Sequence, residues 1–142
     1  MKIRPLRPGD LAAVEEIQKL SPETPAWPAE SYLKTICLVA AEAEGDSPEA
    51  VLGFASARQS APQEAEILNI AVHPAARRRG IARALLASLL RGLTGEVFLE
   101  ARASNLAAIQ LYESLQFARA GIRPAYYSHP REDGVVLRLQ AC

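Results

Sequence analysis

The residues best placed to do chemistry are Arg77-Arg78-Arg79-Gly80-Ile81-Ala82, which follow an apolar run and open a helical stripe. A helix N-terminus leaves backbone N–H groups without intrahelical acceptors and carries partial positive charge, so it favours phosphate oxygens. Gly80 and Ala82 have no bulky side chain to keep a ligand from that backbone. The strand-loop-helix junction 67–83 is therefore a candidate polyphosphate cradle, although three arginines also suit a plain solvated turn. It is not a P-loop, since no Gly-Lys-Ser/Thr follows, and it lacks the second and third glycines of a dinucleotide fingerprint. Two further residues can handle protons. Glu100 ends an alternating run, where its carboxylate can accept a proton or simply pair with Arg102 or solvent. Tyr112 shares a helical face with Ala108 and Leu115, where core packing accounts for its ring. Its phenol, with an ordinary pKa near ~10, is protonated at neutral pH and able to donate. His73, beside Pro74, reads as loop packing, and His129 is the only other histidine. Cys37 and Cys142 form no C-x-x-C and have no paired histidine, which predicts neither zinc site, disulfide nor nucleophile.

The elements that must position these residues follow from periodicity. Residues 2–6 alternate as a strand, and Leu11, Val14, Ile17 and Leu20 then fall at helical spacing with Asp10 as a candidate N-cap. Residues 21–28 are proline-punctuated loop, and 29–34 a short helix. Runs 36–41 and 51–57, separated by the turn signal Gly45-Asp46-Ser47-Pro48, predict an antiparallel pair. Residues 64–72 read as a strand buried on both faces. A helix runs from Gly80 through Ile81, Leu85, Leu86, Leu89 and Leu90, a strand covers 96–101, and a second helix spans 105–115. Strands at 117–123 and 134–139 complete a single mixed α/β domain over 1–142.

Composition narrows the partners. Lys and Arg total 16, Asp and Glu total 16, and the net charge is +0, which argues against a globally basic nucleic-acid binder. A hydrophobic fraction of 49% supports a packed core. No apolar run approaches ~18 residues, and residues 1–5 lack a signal-peptide pattern, so a cytoplasmic protein acting away from membranes is expected.

Arg77 to Ala82 resembles the R/Q-x-x-G-x-G/A pyrophosphate signature of the GCN5-related N-acetyltransferases, with the expected strand before it and helix after it. Leu99-Glu100-Ala101-Arg102-Ala103-Ser104-Asn105 and Leu111-Tyr112-Glu113-Ser114-Leu115-Gln116-Phe117 are similar to the bacterial ribosomal-protein alanine N-acetyltransferases of RimI type. So are Tyr126-Tyr127, Glu132-Asp133 and the Pro25-Ala26-Trp27-Pro28 loop. The resemblance implies a central mixed β-sheet flanked by helices, with acetyl-CoA as co-substrate and no metal. It also implies that Ile70, Ala71 and Val72 pair with the pantetheine arm while Arg77, Arg78, Arg79, Gly80, Ile81, Ala82 and Arg83 hold the pyrophosphate. On the same ground Asn105 touches the cofactor, Glu100 is the base and Tyr112 the acid. Trp27, Tyr126 and Tyr127 would line the acceptor groove.

The acceptor implied is a protein N-terminus, the alanine of a small-subunit ribosomal protein. Such an amine, with a pKa near ~8, is roughly a tenth neutral at pH 7, whereas a lysine near ~10.4 is neutral in well under a thousandth of molecules. Acetylation of lysines or small amines, or acyl-CoA sensing without catalysis, are the alternatives. Two positions depart from the family pattern. Ala82 replaces the last signature glycine, and Gln116 stands where glycine usually precedes Phe117, in a position that governs the turn out of the helix. The loop 128–133 also differs, and loops of this kind set specificity.

Overall fold

A computed structural model describes residues 1–22, 24 and 27–141, the last without its side chain. Cys142, Pro25 and Ala26 lie outside the described residues. Seven strands form a mixed sheet: β1 (Lys2–Pro5), β2 (Ile36–Glu42), β3 (Ala50–Ala61), β4 (Glu64–Val72), β5 (Gly95–Arg102), β6 (Ala118–Ser128) and β7 (Arg131–Ala141), ordered β1-β2-β3-β4-β5-β7-β6. The helices are α1 (Leu11–Lys19), α2 (Ile81–Arg91) and α3 (Leu106–Ser114), with 3-10 turns at Pro8–Asp10, Ala29–Lys34 and Pro74–Ala76. No helix among the described residues is long and apolar enough to cross a membrane.

The contacts gather into two units. The first, Met1–Arg58 with Ile67–Gly92, holds β1, β2, α1, α2 and most of β3 and β4. Its core unites Val14 and Ile17 of α1 with Tyr32, Val39, Phe54 and Ala71. On α2 the apolar stripe buries Ile81, Leu85, Leu86 and Leu89. At its centre lies a polar network: the Tyr32 hydroxyl donates to Gln18 Oε1 at 2.6 Å and accepts from Asn69 Nδ2 at 2.9 Å. Gln18 in turn brackets the Trp27 backbone, donating to its carbonyl at 2.8 Å and accepting from its N–H at 3.1 Å. Gln18, Tyr32 and Asn69 are tolerated in this core because each finds such partners.

Asp10 does not cap α1 with its side chain, contrary to expectation. Its carboxylate is taken by the Arg4 guanidinium, at 2.8 and 2.9 Å, and by the Arg7 N–H at 2.8 Å, so the stronger charged partner wins over the helix amides. Strand β4 is also less enclosed than its apolar sequence suggests. Ala65, Ile67, Asn69 and Ala71 are buried, while Leu68, Ile70 and Val72 are only half-buried.

The second unit comprises Gln59–Glu66 and the chain from Leu93 on. Here β4 pairs in parallel with β5 over Glu64–Glu66 against Glu96–Phe98. The remaining pairings, β5 with β7 and β7 with β6, are antiparallel. β5 alternates strictly, burying Val97, Leu99 and Ala101 and turning Phe98, Glu100 and Arg102 to the other face. That alternation aims Glu100 away from the core.

Candidate active site

The cradle residues sit on consecutive, differently shaped pieces of backbone. Strand β4 ends at Val72, and the Pro74–Ala76 turn follows, with His73 Nδ1 accepting from the Ala75 N–H at 3.1 Å. The His73 N–H donates to the Leu52 carbonyl at 2.7 Å, so this histidine serves the loop, as the sequence suggested. Arg78 then adopts φ +66 and Gly80 φ +75 before α2 begins at Ile81. The glycine is needed for that left-handed conformation and not for crowding, since a Cβ there would meet nothing within 4 Å. Arg77, Arg78, Arg79 and Gly80 are all exposed at the start of α2, where helix amides favour a polyphosphate. Arg79 is partly engaged: its guanidinium donates to Glu42 Oε1 at 2.8 Å, which holds the Glu42 carboxyl below its ordinary range. Ile70 carries a feature the sequence hid. Its N–H donates to the Asn69 side-chain oxygen at 2.9 Å, so the buried Tyr32 network reaches the β4 backbone directly.

Glu100, Arg123 and Tyr126 come together in the second unit, lining a cavity of about 480 Å³ with Glu64, Glu66 and Phe98. Glu100 Oε1 accepts from Arg123 Nε at 2.9 Å, while its Oε2 is buried without a hydrogen-bond partner. Arg102, the partner the sequence offered for Glu100, is committed elsewhere. It donates to the His129 and Pro130 carbonyls and to Glu132, and stacks on the Tyr127 ring at 4.5 Å. Glu132 also accepts from the Ser104 N–H, which with Arg102 keeps its carboxyl below the usual range. The β6–β7 hairpin is thereby pinned to the end of β5.

Tyr126 and Tyr127 meet edge to face, with centroids 5.1 Å apart. A register shift between Arg123 and Tyr127, with Ala125 at φ +50 and its N–H held by Asp133 Oδ1 at 2.8 Å, creates this pairing. Gly134, opposite both Arg102 and Arg123, leaves the room: a Cβ there would come within 3.3 Å of Tyr126. The Glu100 charge raises the Tyr126 phenol above its ordinary pKa.

Tyr112 is buried against Phe117, with ring centroids 6.1 Å apart, and burial pushes its hydroxyl up to about 12. Asn105 caps α3, its side-chain oxygen accepting from the Ala108 N–H at 3.3 Å. At the other end Gln116 takes φ +76, its N–H donating to the Glu113 carbonyl and the Phe117 N–H to that of Tyr112. This is a Schellman ending, which normally places glycine where Gln116 stands. The turn keeps its shape in spite of the substitution. Trp27 is part-buried in the first unit, stacked on Tyr32 at 5.8 Å. Cys37 is buried and its thiol is pushed up to about 12 by burial, in line with a passive role.

The acetyltransferase (GNAT) family model matches residues 10–117, and that span includes the arginine-glycine turn, β5 and α3. The chain belongs to the GNAT family. It is 48% identical over 82 residues to the [ribosomal protein bS18]-alanine N-acetyltransferase of Escherichia coli, a match covering 54% of this chain and 55% of that protein. An uncharacterised protein of Mycobacterium leprae is 36% identical over 138 residues, 93% of this chain and 38% of that protein. The chain thus spans about half, or less, of the length of these curated relatives. The crystal structure of the ribosomal-protein-S18-alanine N-acetyltransferase from Escherichia coli superposes with a TM-score of 0.78 at 32% identity, covering 99% of this chain and 93% of that one. The GNAT fold expected from the sequence, a mixed sheet flanked by helices, is the fold observed.

Proposed function

We propose that this chain, as one domain, transfers an acetyl group from acetyl-CoA to the N-terminal α-amine of a protein in the cytoplasm. The substrate we infer is the alanine terminus of a small-subunit ribosomal protein, on the likeness to the bS18-alanine enzyme. Acetyl-CoA, when bound, supplies the thioester. The residues that would hold it fit: Arg77, Arg78 and Arg79 with the backbone of Gly80, Ile81, Ala82 and Arg83 for the pyrophosphate, and the half-buried Ile70 and Val72 beside Ala71 for the pantetheine arm. Asn105 would contact the same molecule.

The observation that carries the reading is Glu100. In proteins buried polar atoms nearly always have partners, and Oε2 of this carboxylate has none. A substrate ammonium is the natural donor to it. Glu100 accepts the proton, directly or through water, and the neutral nitrogen attacks the acyl carbon as the carbon–sulfur bond breaks. The Tyr112 hydroxyl donates to the departing sulfur, and the second proton that the nitrogen sheds as the amide forms returns the phenolate to phenol through solvent. A phenol at about 12 is a weaker acid than the ordinary ~10, so full transfer to a thiolate near ~8.5 is uphill and must accompany bond cleavage. Tyr126 and Tyr127 would flank the acceptor terminus.

The test is steady-state acetylation of an Ala-initiated hexapeptide. General acid–base groups contribute about 10²–10⁴-fold, so Glu100→Gln and Tyr112→Phe should each lower kcat by at least about a hundredfold. Unchanged turnover in both would remove the mechanism, and acetyl-CoA binding without acetylation of any amine would favour a sensor.

A further inference from the structure

We propose that Arg123 is an internal stand-in for the charge of the acceptor ammonium, neutralising Glu100 until a substrate terminus arriving at its other oxygen displaces it. The inference rests on the assignment of Glu100 as the base. Three observations support it. The Arg123 Nε donates to Glu100 Oε1 at 2.9 Å, so the guanidinium already neutralises the carboxylate whose Oε2 an incoming ammonium would use, and it lies over the Tyr126 ring with 5.3 Å to the centroid. A carboxylate beside an aromatic face is a site built for a cation. The cavity they share is lined by Glu64, Glu66 and Glu100, an acidic setting that suits a cationic acceptor.

Third, Arg123 is placed to leave. Its side chain is 58% exposed, and it stands on β6, which is exposed along almost its whole length. Gly134 opposite it offers no side chain to hold it in place. Arg102, on the far side of Gly134 in the same cross-strand row, shows what a fixed arginine looks like here: it is 16% exposed and donates to two carbonyls and a carboxylate. Arg123 therefore sets a threshold. An acceptor must bring a positive charge to exchange for the guanidinium, which favours an ammonium terminus over a neutral amide or an already acetylated one.

Exposed ion pairs are worth about 0.2–1 kcal/mol, which corresponds to about 1.4- to 5-fold in an equilibrium. Arg123→Gln should thus lower KM for an Ala-initiated hexapeptide about threefold and raise kcat/KM correspondingly, whereas Arg123→Lys should retain the wild-type KM. Methylguanidine should raise the KM of Arg123→Gln back toward the wild-type value. A KM that stays the same or rises in Arg123→Gln, or one that methylguanidine does not move, overturns the proposal. Glu100→Gln is assayed beside it. If Glu100→Gln keeps full turnover, the base assignment has failed, while loss of turnover there with no KM change in Arg123→Gln refutes the stand-in alone.

Discussion

Replacing Tyr32 by phenylalanine removes one buried oxygen and leaves the ring. The Tyr32 side chain is fully buried, and its hydroxyl donates to Gln18 and accepts from Asn69. Because the ring remains stacked on Trp27 and edge-to-face with Phe54, no cavity opens and the cost is polar. Two hydrogen bonds at about 1 kcal/mol each are lost, and the Asn69 amide gives up a buried partner, for a further ~1–2 kcal/mol. The sum, about 3 kcal/mol, corresponds to a fall of about 6–12 °C in Tm at this chain length. Urea unfolding followed by circular dichroism measures it. The network makes a sharper demand on Asn69→Leu combined with Tyr32→Phe. Since each change removes the other's hydrogen-bond partner, the double variant should be less destabilised than the sum of the singles by about 1–2 kcal/mol. Strict additivity, or a Tyr32→Phe cost below about 0.5 kcal/mol, would show that the buried oxygen is not holding these elements together. Because Asn69 also binds the Ile70 N–H, Asn69→Leu should raise KM for acetyl-CoA as well.

Further outcomes follow from other parts of the molecule. Gln116→Gly should stabilise by about 0.5–1 kcal/mol, since it removes a left-handed side chain costing about 1–2 kcal/mol and returns part of that as unfolded-chain entropy; a lower Tm for the glycine variant would contradict the geometry. Arg4 holds the Asp10 carboxyl below its ordinary pKa, so the folded-state value is depressed. The stabilisation is then present above ~pH 4 and lost as pH falls through the folded value, and Asp10→Asn should flatten the acid limb of a Tm-against-pH curve. Gly80→Ala should lower stability by about 1 kcal/mol through its φ of +75 while raising KM for acetyl-CoA, read by thermal melts and kinetics.

Much of this was legible in the sequence where a local rule decides the outcome. The strand 64–72 has the predicted limits, and the helices after Gly80 and Asn105 begin where their apolar stripes do. What sequence could not show depends on partners far along the chain. Glu100 sits two residues from Arg102, the obvious neighbour, yet pairs with Arg123, because the β5–β7–β6 register brings residue 123 across the sheet while the hairpin carbonyls claim Arg102. The strand expected over 117–123 runs on, because the chain bulges at Ala125 and pairs on to Ser128. Strand β7 correspondingly starts at Arg131 instead of 134, because the hairpin turns on residues 129–130 alone. Asp10 looked like a helix cap and became the anchor of Arg4. Gln116 was visible as a departure from family pattern, while the structure adds that the glycine-like φ survives it.

The central claim is acetylation of a protein α-amine. Its most direct measurement is a mass spectrum of a peptide with a free N-terminal alanine and an internal lysine, incubated with this protein and acetyl-CoA, with fragmentation to locate the added group. The account predicts one acetyl group on the α-amine, added at least about a hundredfold more slowly with Glu100→Gln. An acetyl group on the lysine side chain, with the terminus left free, would contradict it.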